Sequence, residues 1–518
     1  GGYRVVRTMP ILFSPVDPRT LYFASNTLWK TRNGGQSWDR ISPDLSRETW
    51  EVPGVVGKYR GTPAAEPSRL GVIYTIAPSY VDADTIWVGT DDGLIHRTED
   101  GGATWTDVTP AQIGAWAKVS IMDASHTDVD TAYAAINTLR LDDLRPHIYR
   151  TRDGGRTWTH IANGIPDGGP VNVVREDPRR PGLLYAGTER TVYVSFDDGE
   201  NWQSLRLNLP ATSIRDLIIK DDDLVIGTHG RGFWILDDIT PLRQVRPGSV
   251  AGRPHLFEPQ RAWRFRWNKY TDTPPPPEEP AGENPPDGAI LHYYLANDAR
   301  GPVTLEILDA EGGLVRSYSS DDQPEPPLEG QNVPDYWPRP QQLLSAEAGL
   351  HRFVWDMHYP RPAVLRLRYP ISAIAYNTPV SPVGPSVLPG RYTVRLTADG
   401  QTQTQPLVVT MDPRVTTPQA ELERQFALSM KLTDLLRQDF EALEEVRAFR
   451  AATADAELDA AAATLESSIQ RLNGDLGSLY GIVEGADVGP TSQVVEAAGR
   501  TERALQDALA RWAAIARP

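Results

Sequence analysis

A chain of 518 residues with 40% hydrophobic and 23% charged side chains is long enough to bury several cores, which predicts two to four domains. Its formal charge of −16 repels phosphate backbones and anionic lipid, so nucleic-acid or membrane binding through bulk electrostatics is excluded. The absence of cysteine excludes disulfides, thiol catalysis and thiolate metal sites while leaving the compartment open, and no apolar run reaches the roughly 18 residues of a transmembrane helix.

The chain opens on Gly1-Gly2-Tyr3 without a charged and apolar leader, which reads as a processed or truncated N-terminus. From there a short pattern recurs in four copies. It runs Thr31-Arg-Asn33-Gly-Gly35-Gln-Ser37-Trp38, Thr98-Glu-Asp100-Gly-Gly102-Ala-Thr104-Trp105, Thr151-Arg-Asp153-Gly-Gly155-Arg-Thr157-Trp158 and, more loosely, Ser195-Phe-Asp197-Asp-Gly199-Glu-Asn201-Trp202. An amide or carboxylate at Asn33, Asp100, Asp153 or Asp197 accepts backbone N–H groups across a tight turn, and the neighbouring glycine takes positive φ. The tryptophans Trp38, Trp105, Trp158 and Trp202 then open the next strand and pack between sheets. These residues are therefore read as structural. The turns resemble Asp boxes, the S/T-x-D-x-G-x-T/S-W element of sialidase-like, sortilin-like and xyloglucanase-like β-propellers, in which the boxes lie away from the active site.

Short strands bounded by Gly, Asp and Pro surround each turn and predict four-stranded units at about 4–43, 72–108, 118–163 and 171–208. A fifth, 214–245, keeps three recognisable strands but carries Asp237-Asp238-Ile239 in place of the box; it is read as a four-stranded blade too, giving a propeller of five four-stranded blades over residues 1–245. The resembling families use six or more blades, which implies further propeller sheets upstream in the same precursor or on a partner chain.

Residues 246–286 read as a linker, stiffened by Thr273-Pro274-Pro275-Pro276-Pro277-Glu278-Glu279-Pro280. Alternating apolar stretches return over 287–413, where Leu388-Pro-Gly390-Arg-Tyr392-Thr-Val394-Arg-Leu396 resembles a late strand of immunoglobulin-like or fibronectin-like sandwiches. From 414 to the end the pattern is helical. Thr417 is placed to N-cap with Pro418 at the first helical position, Leu428, Leu432, Leu436, Phe440, Leu443 and Val446 share one face, and breaks are expected at Gly474, Gly477 and Gly489-Pro490. The sum is a mainly β protein: a propeller, a sandwich and a helical hairpin or bundle. That order resembles large bacterial exported repeat proteins described as sortilin-like or glycosyl-hydrolase-like, which implies a periplasmic or secreted location.

If strands run outward from a central channel, the boxes occupy one face and the loops joining second to third strands occupy the other. On that other face fall Asp91 and Asp92, then Asp142, Asp143, Arg145 and His147, then Glu189 and Arg190, then His229 and Arg231, with the excursion 47–69 carrying Trp50, Tyr59 and Arg60 above them. Glycoside hydrolysis needs two carboxylates roughly 5–10 Å apart, and Asp92, Asp142 and Glu189 are the catalytic candidates. His229 and Arg231, framed by glycines, read either as a polar grip on a ligand or as a tie between sheets; Trp50, Tyr59, Arg145 and Arg190 complete the binding candidates. A sialidase-like site departs from its pattern at Arg7-Thr-Met-Pro10. No HExxH, nucleophile elbow, P-loop or paired-histidine pattern is present, no cofactor or metal is implied, and Asp221-Asp222-Asp223 reads as a solvated acidic turn. The function read first is an extracytoplasmic scaffold that binds a protein or glycan partner through the propeller face, because no carboxylate pair is singled out; the alternative is a polysaccharide-active glycoside hydrolase.

Overall fold

The computed structural model describes residues 2–48, 71–246, 252–266, 278, 282–328, 330–371, 373–376 and 378–516. The chain divides into two units, Gly1–Arg246 and Pro247–Pro518. The first is a series of antiparallel sheets, four with four strands and a fifth with three. Each is a meander in which neighbours in sequence are neighbours in the sheet, as in the second, Ile73–Pro78, Ile86–Thr90, Ile95–Thr98 and Thr106–Asp107. Successive sheets pack face to face in the manner of propeller blades. One apolar core joins first to second, through Tyr22, Leu28, Ile73 and Val88, and others join second to third, third to fourth and fourth to fifth.

The four repeated turns share one set of hydrogen bonds. In the second, Thr98 Oγ1 donates to Asp100 Oδ1 at 2.8 Å and accepts from Gly102 N at 3.0 Å, while Asp100 accepts from Thr104 N and Oγ1 at 2.9 and 2.6 Å. The hydroxyl bonds from Thr104 hold the Asp100 carboxyl down to about 2. Asn33, Asp153 and Asp197 repeat the arrangement. Gly102 has φ +107°, and a Cβ there would lie 2.4 Å from the Ile41 carbonyl of the preceding sheet, so only glycine permits the approach. In the fourth turn Asp198 takes the left-handed conformation, φ 61°, at a place held by glycine in the other copies. Its carboxylate accepts from Tyr133 at 2.6 Å and pairs with Arg150 at 3.0 Å.

The first strands of the second to fifth sheets lie side by side. Arg175 stitches three of them together, donating to the carbonyls of Met122 and Leu217 at 3.3 and 3.0 Å and to Asp216 at 3.1 Å. Beside it Asp123 accepts from Glu176 N at 2.9 Å, and burial pushes its carboxyl up to about 7 despite the Arg175 charge. A carboxyl whose pKa is higher folded than unfolded binds extra protons in the folded chain between about 4 and 7, so its contribution to stability falls as pH rises through that window. Asp123→Asn is expected to remove this slope, seen as a smaller difference between urea midpoints measured at pH 5 and pH 8 than in the parent.

The fifth sheet departs from the expected four strands. It ends at Phe233–Leu236, because Asp238, at φ 61°, turns the chain into helix α1 (Thr240–Gln244), accepting from Thr240 N and Oγ1 at 3.0 and 2.6 Å.

The second unit holds two sheets around one core that includes Leu291, Tyr293, Phe353, Trp355 and Val394. One has Ala289–Leu295 between His255–Leu256 and Gly349–Trp355; the other runs in the order Ala262–Arg264, Gln401–Met411, Gly390–Ala398, Thr304–Leu308, Leu314–Ser319. Two strands thus fall within 246–286, read from sequence as linker, and one of them, Ala262–Arg264, pairs in parallel with Gln401–Met411. Of the proline-rich stretch 273–280 only Glu278 is among the described residues. Helices α2 (Gln419–Ala452), α3 (Ala456–Val483) and α4 (Ser492–Ile515) share an apolar core. Thr417 does not cap α2; its hydroxyl donates to the Asp487 carbonyl at 2.6 Å. Nor do Gly474 and Gly477 break α3, whose Leu472, Leu476 and Tyr480 are buried in the shared core. Glu484, after α3, accepts from Ser386 at 3.0 Å and Ser429 at 2.5 Å, tying a sandwich loop to α2.

Candidate functional site

The meander places the repeated turns at one end of the first four sheets and the loops between second and third strands at the other. At this second end a polar rim runs from the second sheet to the fifth. Asp91, just past the second strand of its sheet, accepts from Val72 N at 2.8 Å, with Arg140 of the third sheet 3.8 Å away. Burial pushes the Asp91 carboxyl up, against that backbone bond and the arginine charge. Arg140 donates through Nε to the Trp116 carbonyl at 2.7 Å, and its guanidinium lies 5.3 Å from the Trp116 ring. Trp116 has φ 67°, a costly conformation for an aromatic residue, maintained by its N–H donating to Asp92 O at 3.0 Å. Lys118 Nζ sits 4.6 Å from the centre of the Tyr74 ring. A half-buried carboxyl, two cations and two aromatic rings therefore meet where the second and third sheets adjoin.

Farther along, Asn137 donates to Asn172 Oδ1 at 2.7 Å, and Asn172 donates to Glu189 Oε1 at 3.0 Å. Arg215 of the fifth sheet pairs with the same oxygen at 3.1 Å. Glu189 is thus a carboxylate oriented by two donors from different sheets, one edge of it turned to solvent.

The other sequence candidates are scattered. Asp92 is 3% exposed; it accepts from Thr90 Oγ1 at 2.6 Å and Arg47 N at 3.0 Å, and Arg47 Nε donates to its carbonyl at 2.8 Å. Its carboxylate anchors the start of the 47–69 excursion and is closed to a glycan. Asp142 is exposed at the end of a short 3-10 turn, φ 61°. Arg145 forms a two-pronged pair with Asp143, at 2.9 and 2.8 Å, which also meets His147 at 3.2 Å. Arg190 is exposed on the fourth sheet. His229 and Arg231 are exposed; the chain there is held by its backbone, with His229 N donating to Ser213 O and Arg231 N to Thr228 Oγ1. Trp50 and Tyr59 lie outside the described residues. Among the described residues no group of three or more His, Asp or Glu side chains is placed to hold a metal ion, and no helix is long and apolar enough to cross a membrane.

The curated relatives are xyloglucanases. An oligoxyloglucan-reducing end-specific xyloglucanase of Emericella nidulans is 26% identical over 185 residues, 35% of this chain and 20% of the relative. A xyloglucanase of Paenibacillus sp is 25% identical over 220 residues, 39% of this chain and 21% of the relative. The chain spans about a fifth of the length of the curated relatives it matches. Among solved structures, the GH74 xyloglucanase from Xanthomonas campestris is 14% identical with a TM-score of 0.34, covering 78% of this chain and 80% of that one. YCF48 from Cyanidioschyzon merolae is 21% identical with a TM-score of 0.25, covering 32% and 53%. No family model matches.

Asp91, Trp116, Tyr74, Lys118 and Arg140 include residues that a search for carboxylate pairs passes over. One signal separates the two adjacent acids. Thr90-Asp91-Asp92 repeats the Thr-x-Asp spacing of Thr98-Glu99-Asp100, and the bonds repeat too: Thr90 Oγ1 donates to Asp92 and accepts from Leu94 N at 2.8 Å, as Thr98 does with Asp100 and Gly102. Asp92 is the turn residue of that spacing, which leaves Asp91 facing the rim.

Proposed function

We propose that the chain is the glycan-cleaving portion of a polysaccharide-active glycoside hydrolase whose substrate is a β-linked glucan of the xyloglucan type. The observation that carries this reading is the Asp91 carboxyl, raised by burial and set 3.8 Å from Arg140, which itself bonds the Trp116 carbonyl at the junction of two sheets. A raised carboxyl is the state a general acid needs to protonate a departing glycosidic oxygen near neutral pH. Trp116 and Tyr74 offer flat apolar faces to sugar rings, while Arg140 and Lys118 donate to ring hydroxyls. Glu189, oriented by Asn172 and Arg215, is the second carboxylate of the rim and takes the role of base for an incoming water. The xyloglucanase relatives support the substrate class, and the four turns with their tryptophans support membership among Asp-box propellers of exported bacterial proteins.

Incubation of the purified chain with xyloglucan, unbranched β-glucan and polygalacturonate, scored by release of reducing ends, tests the proposal. Release from xyloglucan is the expected result. Binding of xyloglucan without release from any polymer returns the rim to the role of a glycan-binding scaffold.

A further inference from the structure

The sheet-to-sheet contacts repeat one hydrogen bond. Trp105 of the second sheet donates through Nε1 to Ile41 O of the first at 2.8 Å, Trp158 of the third to Val108 O of the second at 2.8 Å, and Trp202 of the fourth to Ile161 O of the third at 2.6 Å. Each acceptor directly follows a two-residue fourth strand, Asp39–Arg40, Thr106–Asp107 or Thr159–His160, and its own N–H is fixed to the third strand, by Leu28 O, Ile95 O and Ile148 O. The donor always belongs to one sheet and the acceptor to the sheet immediately before it in sequence. Trp38 is the next member of this series. Its turn is formed like the others, its ring meets Phe23 edge-on at 6.1 Å, and its indole N–H has no acceptor among the described residues. Around it the first sheet leaves Ile11 and Phe13 60% and 61% exposed. At the opposite end of the series the fifth sheet, lacking a fourth strand, leaves Phe233 83% exposed.

We infer that the Trp38 face is a docking surface for one further sheet of the same repeat, placed before the first in sequence order. The occupant supplies an aliphatic residue directly after a short fourth strand, whose carbonyl receives Trp38 Nε1–H and whose side chain covers Phe13 and Phe23. The bond series dictates this chemistry. A second copy of the chain does not offer it: Ile41, Val108 and Ile161 are already engaged, Leu205 after the fourth strand of the fourth sheet is packed against the core shared with the fifth sheet, and the fifth sheet has no fourth strand.

The test grafts such a sheet onto the full chain: a second copy of residues 171–210, which contains the fourth strand Gln203–Ser204 followed by Leu205, is joined ahead of Arg4. Trp38→Phe and Trp105→Phe are then compared in the parent and extended chains by thermal unfolding. In the parent, Trp38→Phe is expected to leave the midpoint within about 1 °C while Trp105→Phe lowers it by about 3 °C or more. In the extended chain Trp38→Phe acquires the cost of Trp105→Phe. Equal costs in the parent overturn the inference even if the extended chain does not fold, as does a folded extended chain in which Trp38→Phe stays neutral. A parent chain that sediments as a dimer dissociated by Phe13→Glu overturns it as well, by making a second copy the occupant.

Discussion

Asp91→Asn is expected to lower kcat for xyloglucan cleavage by about 10²–10⁴-fold, the usual contribution of a positioned general acid, with KM changed by less than about threefold. The amide keeps the bond from Val72 N, so the loop and the Trp116 platform are preserved and the loss falls on proton donation alone. Because burial raises the Asp91 carboxyl, the parent's kcat is expected to fall on the alkaline side at a pH above the ordinary carboxylate range, and this limb disappears in the variant. Asp92→Asn behaves differently. It weakens the anchor of Arg47, so its effect appears as lowered stability with kcat per folded molecule retained. Stopped reducing-end assays across pH, paired with unfolding midpoints of each variant, separate the two adjacent acids.

The largest expected loss of stability is at the sheet junctions. Trp202 is 4% exposed, sits in the core shared by the third and fourth sheets and donates to the Ile161 carbonyl. Trp202→Ala removes a buried aromatic side chain and leaves that carbonyl without its indole partner, a loss of about 3–5 kcal/mol. For a unit of this size each kcal/mol corresponds to roughly 2–4 °C, so the midpoint of the first unit is expected to drop by about 10 °C. Trp202→Phe keeps most of the apolar volume and loses chiefly the hydrogen bond, so a smaller drop is expected. Equal drops for both variants would show that the bond, and not the packing, dominates the junction.

The repeated turns were legible because their function is local: a hydroxyl, a carboxylate and a glycine at fixed spacing close the same ring of hydrogen bonds wherever they occur. What the sequence hid depended on partners far along the chain. Nothing in Asp237-Asp238 says that a fourth strand is missing; Asp238 makes that choice by turning the chain with a positive φ and accepting from Thr240 at the start of α1. Ala262–Arg264 is too short to carry an alternation and is a strand only because Gln401–Met411 lies beside it. Gly474 and Gly477 fit within α3 because the apolar face continues through Leu472, Leu476 and Tyr480. Trp116 joins the site through a positive φ and a bond to Asp92 O, neither of which periodicity reveals. Adjacent in sequence, Asp91 and Asp92 are told apart by which of them the Thr90 hydroxyl engages.

The most direct measurement is hydroxyl-radical footprinting of the full chain with and without a xyloglucan oligosaccharide, read by mass spectrometry at individual aromatic residues. Loss of oxidation at Trp116 and Tyr74, with exposed aromatics of the second unit such as Tyr336 and Tyr376 unchanged, is the predicted result. Protection confined to Tyr336 and Tyr376, or none at Trp116, would contradict a sugar-binding rim at the junction of the second and third sheets.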